Sequence, residues 1–226
     1  MKIMVFALAI VIPLSIFART SVRELSYAVY STNTTTNVYL QTIDHEKGLV
    51  MYGLTNDSMQ YVMVFDTNIN TRYWGFVNRT NGNYIRTTNE GALLRFGAKL
   101  RSNAPIEKDI VMPKNGVYYP GFEQAARRML ALGTNVMQFY TVRPDTGDLF
   151  EMEVKLIARE TVNIAGKKVD AVKVHGGLAG FLSIFWGGSD YWFRASDLEY
   201  IRFKGEMGPP GSPTAVVELV SEKVIR

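Results

Sequence analysis

From Ser21 onward the apolar residues recur at every second position in short runs, and clusters of turn formers cut each run. A chain punctuated this closely cannot build long helices. It must bury its apolar side as antiparallel strands joined by tight connections. Six such runs stand at 25–31, 37–44, 48–54, 60–66, 71–77 and 84–87, with turn clusters at 32–36, 45–47, 55–58, 67–70 and 79–83. Asn81-Gly82 is the strongest hairpin signal, because both residues tolerate the positive φ of a tight primed turn.

Residues 102–121 break the pattern, with three prolines and no clear period, and read as a long connecting loop or lid. A helix is expected over 122–132. Phe122, Ala125, Ala126, Met129 and Leu130 share one face, and Glu123, Gln124, Arg127 and Arg128 form the polar face. Gly133 stands where a helix C-terminus needs a left-handed residue. A helix this short is marginal alone, so it must lie on a sheet. Strands then return at 135–143, 149–159, 161–165, 167–175, 191–193, 198–204 and 214–225, the last two separated by a Gly-Pro-rich link at 205–213. In 149–159 Met152, Val154, Leu156 and Ala158 alternate with charged residues, as in a sheet with one wet face.

Location and excluded chemistry come from the ends of the composition. Lys2 precedes an uncharged run over 3–17 that contains Pro13, followed by Ala18 and Arg19. This is the layout of a secretory signal peptide over 1–18, leaving one β-rich domain over 19–226 and an exported, periplasmic or secreted, protein. A retained anchor is the alternative, but the run is shorter than the roughly 20 apolar residues a spanning helix prefers. The chain has no cysteine, which excludes disulfides, thiolate metal sites and a cysteine nucleophile. Only His45 and His175 are present: His45 stands in a turn beside Asp44 and Glu46, which could touch a metal but with one histidine reads as a solvated turn, and His175 ends a strand, so no metal or cofactor is expected. No G-x-S-x-G, P-loop or G-x-G-x-x-G occurs, and Ser189-Asp190 and Ser196-Asp197 are local pairs without a nucleophile motif. Basic residues gather over 79–114, which suits an anionic surface, yet no nucleic-acid-binding module is recognisable and nucleic acid is not an expected partner.

Two features point to binding. Residues 176–188 (GGLAGFLSIFWGG) carry an uncharged centre between glycine pairs, which reads either as a mobile apolar flap or as a buried core segment. Methionines and aromatics recur through the strands and helix, a lining that adapts to ligands of variable shape where a fold leaves a cavity.

The segments "TGDLFEMEVKLIARETVNIAGKKVDAVKV", "DYWFRASDLEYIRFKGE" and "PTAVVELVSE" between Thr146 and Glu222 resemble an uncharacterised family of bacterial exported β-domains, described as domains of unknown function. Its architecture is distantly similar to lipoprotein-carrier (Lol-type) half-barrels, in which a curved antiparallel sheet wraps an apolar groove covered by helices. The resemblance implies a fold and brings no catalytic residues with it. The insert at 176–188 departs from it.

The expected fold is mainly β, a strongly curved antiparallel sheet or open barrel with the short helix on its concave face. The expected function is non-enzymatic binding of an apolar or amphipathic ligand, a lipid or acyl chain. Met63, Phe122, Met129, Met137, Phe181, Phe185, Trp186 and Trp192 are the candidate lining residues. Loop 102–121 and flap 176–188 would gate the groove. The alternative is a scaffold or adaptor of an envelope complex that uses the flap as a protein interface, and peripheral membrane contact is a further expectation. Phe185→Asp combined with Trp186→Asp is expected to abolish binding while the far-ultraviolet circular dichroism and urea midpoint stay near wild type. A collapsed fold would instead assign the segment to the core.

Overall fold

Among the described residues the alternating runs resolve into fourteen strands and one helix. The computed structural model describes residues 20–31, 34–100, 104–180, 187–206 and 211–225. The expected signal segment 1–18 lies outside them, as do Phe181, Phe185 and Trp186 of the flap. In chain order the strands are β1 (Thr20–Tyr30), β2 (Thr34–Asp44), β3 (Leu49–Thr55), β4 (Met59–Asp66), β5 (Thr71–Asn78), β6 (Asn83–Asn89), β7 (Leu93–Lys99) and β8 (Ile106–Val111). Helix α1 (Phe122–Ala131) follows. Then come β9 (Val136–Val142), β10 (Leu149–Ile164), β11 (Lys167–Leu178), β12 (Ser189–Arg194), β13 (Tyr200–Glu206) and β14 (Thr214–Val224).

All fourteen strands join one antiparallel sheet in the order β8-β7-β6-β5-β4-β3-β2-β1-β14-β13-β12-β11-β10-β9. Two meanders therefore meet at the β1–β14 ladder, and the sheet's outer edges are the sequence neighbours β8 and β9. A sheet of this size must curl, and this one curls until those edges share a core. Val142 of β9 packs in one cluster with Leu94, Phe96 and Ile110 of β7 and β8. Tyr118 bridges to Tyr140, and its hydroxyl lies 2.8 Å from Thr87 Oγ1. No ladder joins β8 to β9 among the described residues, so the sheet stays open there.

Helix α1 lies inside the curl as expected. Ala125, Ala126 and Met129 lose all exposure against Phe139, Met152, Val154, Val174 and Phe193. Phe122 packs on Gly176, where a Cβ would stand 2.5 Å from its ring, so only glycine lets the helix start approach β11. The helix ends in a Schellman arrangement. Gly133 takes φ +68° and its N–H donates to Leu130 O, while Thr134 N–H donates to Met129 O.

Three local expectations need correction. Residues 102–121 are not a structureless loop, because β8 occupies part of them. Its Glu107-Lys108-Asp109 centre hid the alternation of Ile106 and Ile110, as befits a charged edge strand. β7 also lay beyond the last run read in the first half of the chain. The Asn81-Gly82 hairpin forms, but through a four-residue loop in which only Gly82 has positive φ and the Asn78 side chain accepts from Thr80 and Asn81 N–H. The two-residue primed turn sits instead at Ala165-Gly166, both with positive φ.

Met129→Ala, at a site with no exposure, should lower stability by about 2–5 kcal/mol. Leu132→Ala, at a half-exposed cap, should change it by less than about 0.5 kcal/mol. Urea denaturation measures both, and equal effects would mean the helix is not the centre of this core.

Candidate functional site

The polar face of α1, which the sequence suggests is turned to water, turns inward toward the other half of the sheet. Gln124 is buried, and Arg127 keeps 11% side-chain exposure. Arg127 Nη1–H donates to the Tyr52 hydroxyl at 2.6 Å, and Nη2–H donates to Glu199 Oε1 at 2.9 Å. Glu199 is 2% exposed, and its other oxygen accepts from Arg23 at 2.6 Å. A buried carboxylate is tolerated only with such partners. Leu198, held at φ +57°, turns the chain so that Glu199 faces them.

These contacts extend into a chain of alternating charge. Asp197 pairs with Arg194 at 2.8 Å, Arg194 with Glu222 at 2.8 Å, and Glu222 with Arg23 at 2.5 Å. Arg23 pairs with Glu199, Glu199 with Arg127, and Arg127 with Glu123 at 3.4 Å. The chain starts and ends on a carboxylate. Asp197 ends it at the surface, and Glu123 ends it in the first turn of α1, beside a pocket. Gln41 ties the middle in, accepting from Arg23 Nε at 2.6 Å and donating to the Tyr52 hydroxyl.

The pocket has a volume of about 210 Å³ and lies between the start of α1 and strands β1 to β4, with Tyr200 and Val217 completing it. Five tyrosines line it: Tyr27, Tyr39, Tyr52, Tyr61 and Tyr200. Tyr39 stands nearly perpendicular to both Tyr27 and Tyr61, at 82° and 89° with centroids 5.8 and 6.0 Å apart. Burial pushes all five phenols upward, Tyr39 to about 12, so they stay neutral. Glu123 lines the same pocket with 29% side-chain exposure. Burial pushes its carboxyl from 4.5 to about 6, Glu199 adds to that, and Arg127 opposes it.

The candidate residues from the sequence separate into three places. Met63 lines this pocket. Phe122, Met129 and Met137 belong to the filled cluster under the helix. Trp192 faces a second, open cleft of about 490 Å³, where its indole N–H donates to Glu160 at 2.6 Å and Lys173 and Arg202 stand 5.0 and 5.4 Å from its ring. Phe181, Phe185 and Trp186 lie outside the described residues. The tyrosines, Glu123 and Glu199 were not singled out in sequence, where each tyrosine is one more strand residue and Glu123 one more charge on a helix. The i,i+4 spacing of Glu123 and Arg127 was the one local signal available.

The second cleft also holds His175, whose Nδ1 lies 2.8 Å from Asp190 Oδ1, with Lys173 Nζ 2.8 Å from Asp190 Oδ2. Burial works against the charge of Asp190, but hydrogen bonds from Lys173 and His175 outweigh it and hold the carboxyl below its usual range. No serine, threonine or tyrosine hydroxyl is hydrogen-bonded to His175 among the described contacts. Among the described residues no group of three or more potential ligands is placed to hold a metal. His45 is near Ser21 Oγ at 3.3 Å on the surface.

No family model matches the chain, and no curated protein matches it. Solved structures do. The crystal structure of a β-barrel-like protein of the domain of unknown function DUF1849 from Brucella abortus matches with 9% identity. The match covers 92% of this chain and 98% of that one, with a TM-score of 0.51. A DUF1329 family protein from Desulfovibrio piger matches with 8% identity over 91% of this chain and 85% of its own, at a TM-score of 0.24. The likeness to the DUF1849 protein is one of fold.

Glu123 makes a signed prediction. Its carboxyl binds a proton more tightly folded than unfolded, so its contribution is fully present below pH 4.5 and is lost as pH rises through about 6. The loss is at most about 2 kcal/mol. The groups facing it are Arg127, Gln124, Glu199 and the neutral tyrosines. Glu123→Gln should therefore gain stability over wild type, by up to that amount, between pH 4 and pH 7.5 in urea titrations. A wild-type-to-variant difference that is flat with pH would refute the assignment.

Proposed function

We propose that this protein is an exported, non-enzymatic binding protein of the periplasm that holds one end of an amphipathic ligand in the tyrosine pocket. The observation that carries this is the pocket itself, a recess between the start of α1 and the tyrosines of the sheet. It has apolar ring walls and one carboxylate, the usual make-up of a small-molecule site. At about 210 Å³ it is smaller than the several hundred Å³ of a drug-sized site, so it suits the end of a lipid or acyl compound rather than the whole molecule. A curved sheet with a helix inside it is also the arrangement of lipoprotein-carrier half-barrels, which supports the reading by analogy of fold only. Export rests on the N-terminal pattern of Lys2, the uncharged run and Ala18.

A second reading has its own support. Val38, Leu40, Met51, Tyr73 and Val77 stand at 36–46% exposure on β2, β3 and β5, an apolar surface that an adaptor of an envelope complex would cover.

Mass spectrometry of organic extracts from protein purified without detergent should find a bound lipid or fatty acid. Adding that compound to stripped protein should raise its melting temperature. Asn37→Trp, which places a bulky ring at the pocket lining, should remove the ligand and the shift while leaving the unliganded melting temperature within a few degrees. No bound compound and no shift with fatty acids or phospholipids would exclude the binding role and leave the adaptor.

A further inference from the structure

We infer that the tyrosine pocket recognises a small organic cation, a quaternary or alkylated ammonium group, with Glu123 as its counter-ion. The inference deepens the binding role and rests on it. Its first ground is the alternating charge chain. Four carboxylates (Asp197, Glu222, Glu199, Glu123) alternate with three guanidinium groups (Arg194, Arg23, Arg127), so one negative charge has no full partner. The end at Asp197 is open to water. The end at Glu123 is not, and its single arginine is shared with Glu199 and Tyr52 at the longest separation in the chain, 3.4 Å. A cation in the pocket would complete the alternation.

The second ground is the walls. Rings meeting at nearly right angles make a box of π faces, the geometry that recognises quaternary ammonium groups. The phenols stay neutral, so they bring no charge. The Tyr52 ring is already spent, stacked on Phe65 with the Arg127 guanidinium 5.5 Å from its centroid, which leaves the faces of Tyr27, Tyr39, Tyr61 and Tyr200 for the cation. Tyr27 directs its hydroxyl to the Tyr200 carbonyl at 2.9 Å, and the Tyr52 hydroxyl is taken by Arg127 and Gln41, which leaves those hydroxyls committed elsewhere. None of the described residues that line the pocket is lysine or arginine, so no side-chain ammonium or guanidinium of the wall fills it. The volume suits a head group of a few heavy atoms. An alkylammonium is weakly hydrated on its methyl surface, which favours it over sodium in an aromatic recess.

Isothermal titration of choline against 3,3-dimethylbutan-1-ol, its neutral carbon isostere, reads the charge directly. Choline should bind at least about tenfold more tightly. Glu123→Gln should erase most of that preference while the variant melts at or above wild type at pH 7.5. Tyr39→Leu should weaken choline by a similar factor with the alcohol less affected. Equal binding of choline and alcohol overturns the cation and leaves a plain apolar pocket. An undiminished preference in Glu123→Gln also overturns it. Binding of neither overturns it as well, and the lipid extraction and Asn37→Trp then decide the binding role separately. Phosphatidylcholine vesicles distinguish the source of the group. Glu123-dependent co-sedimentation identifies a lipid head group, and choline binding without co-sedimentation identifies a free solute, either of which supports the inference.

Discussion

A single buried carboxylate organises this molecule. Glu199 lies almost wholly out of water, and an unpaired charge there would cost several kcal/mol. It is held by Arg23 from the first strand and Arg127 from the helix, one on each oxygen, with Leu198 in a left-handed conformation to present it. The three groups are 72 and 176 residues apart in sequence. Strand order sets β1 and the turn before β13 on either side of β14, so Arg23 lies within reach of Glu199 in this sheet. Arg127 reaches it because α1 lies inside the curl, and its pair rewards that placement of the helix. Such a network gives specificity to the arrangement more than net stability.

The tyrosine pocket follows from this clasp. Arg127 must reach inward, so the polar face of α1 cannot lie on the outer surface, and its first turn is carried against β1 to β4. The opposite face of the helix is spent on Ala125, Ala126 and Met129 in a filled core. Between those two contacts the helix spans the concavity without filling it at its N-terminal end, where Phe122 rests on Gly176 and Glu123 opens onto the tyrosines. The pocket therefore sits where a charge network meets an aromatic cluster. Burial there makes both its carboxylate and the surrounding phenols harder to ionise than they are in water.

Local order was well written in the sequence. The hairpins from β1 to β6, the helix with its glycine stop, and the turn between β10 and β11 follow from alternation, turn residues and the 3.6-residue period, whereas the runs read separately at 149–159 and 161–165 join in the one strand β10. β8 was not legible because an edge strand is kept safe by charge, and charge erases alternation. The Asn-Gly loop was right as a hairpin and wrong as a turn type, because the Asn78 side chain supplied the bonds that a two-residue turn would have made. Of the candidate lining residues, Met63 reached the pocket. Met129 carries the same kind of side chain and closes a core instead, since a methionine's environment depends on what faces it across the fold.

What the sequence by itself determined is the class of structure: apolar runs mostly joined by turns too short for a parallel crossover, hence an antiparallel sheet, and one helix obliged to lie on it. Periodicity and turn chemistry are local, and they survive in any register. What only the tertiary structure decided is the site. Tyr27, Tyr39, Tyr52, Tyr61, Glu123 and Tyr200 are each unremarked strand or helix residues until the sheet curls, and a polar helix face is indistinguishable from a solvated one until Arg127 finds Glu199. Burial, ring geometry and proton affinity are properties of the assembled space around a residue, and no spacing along the chain encodes that space.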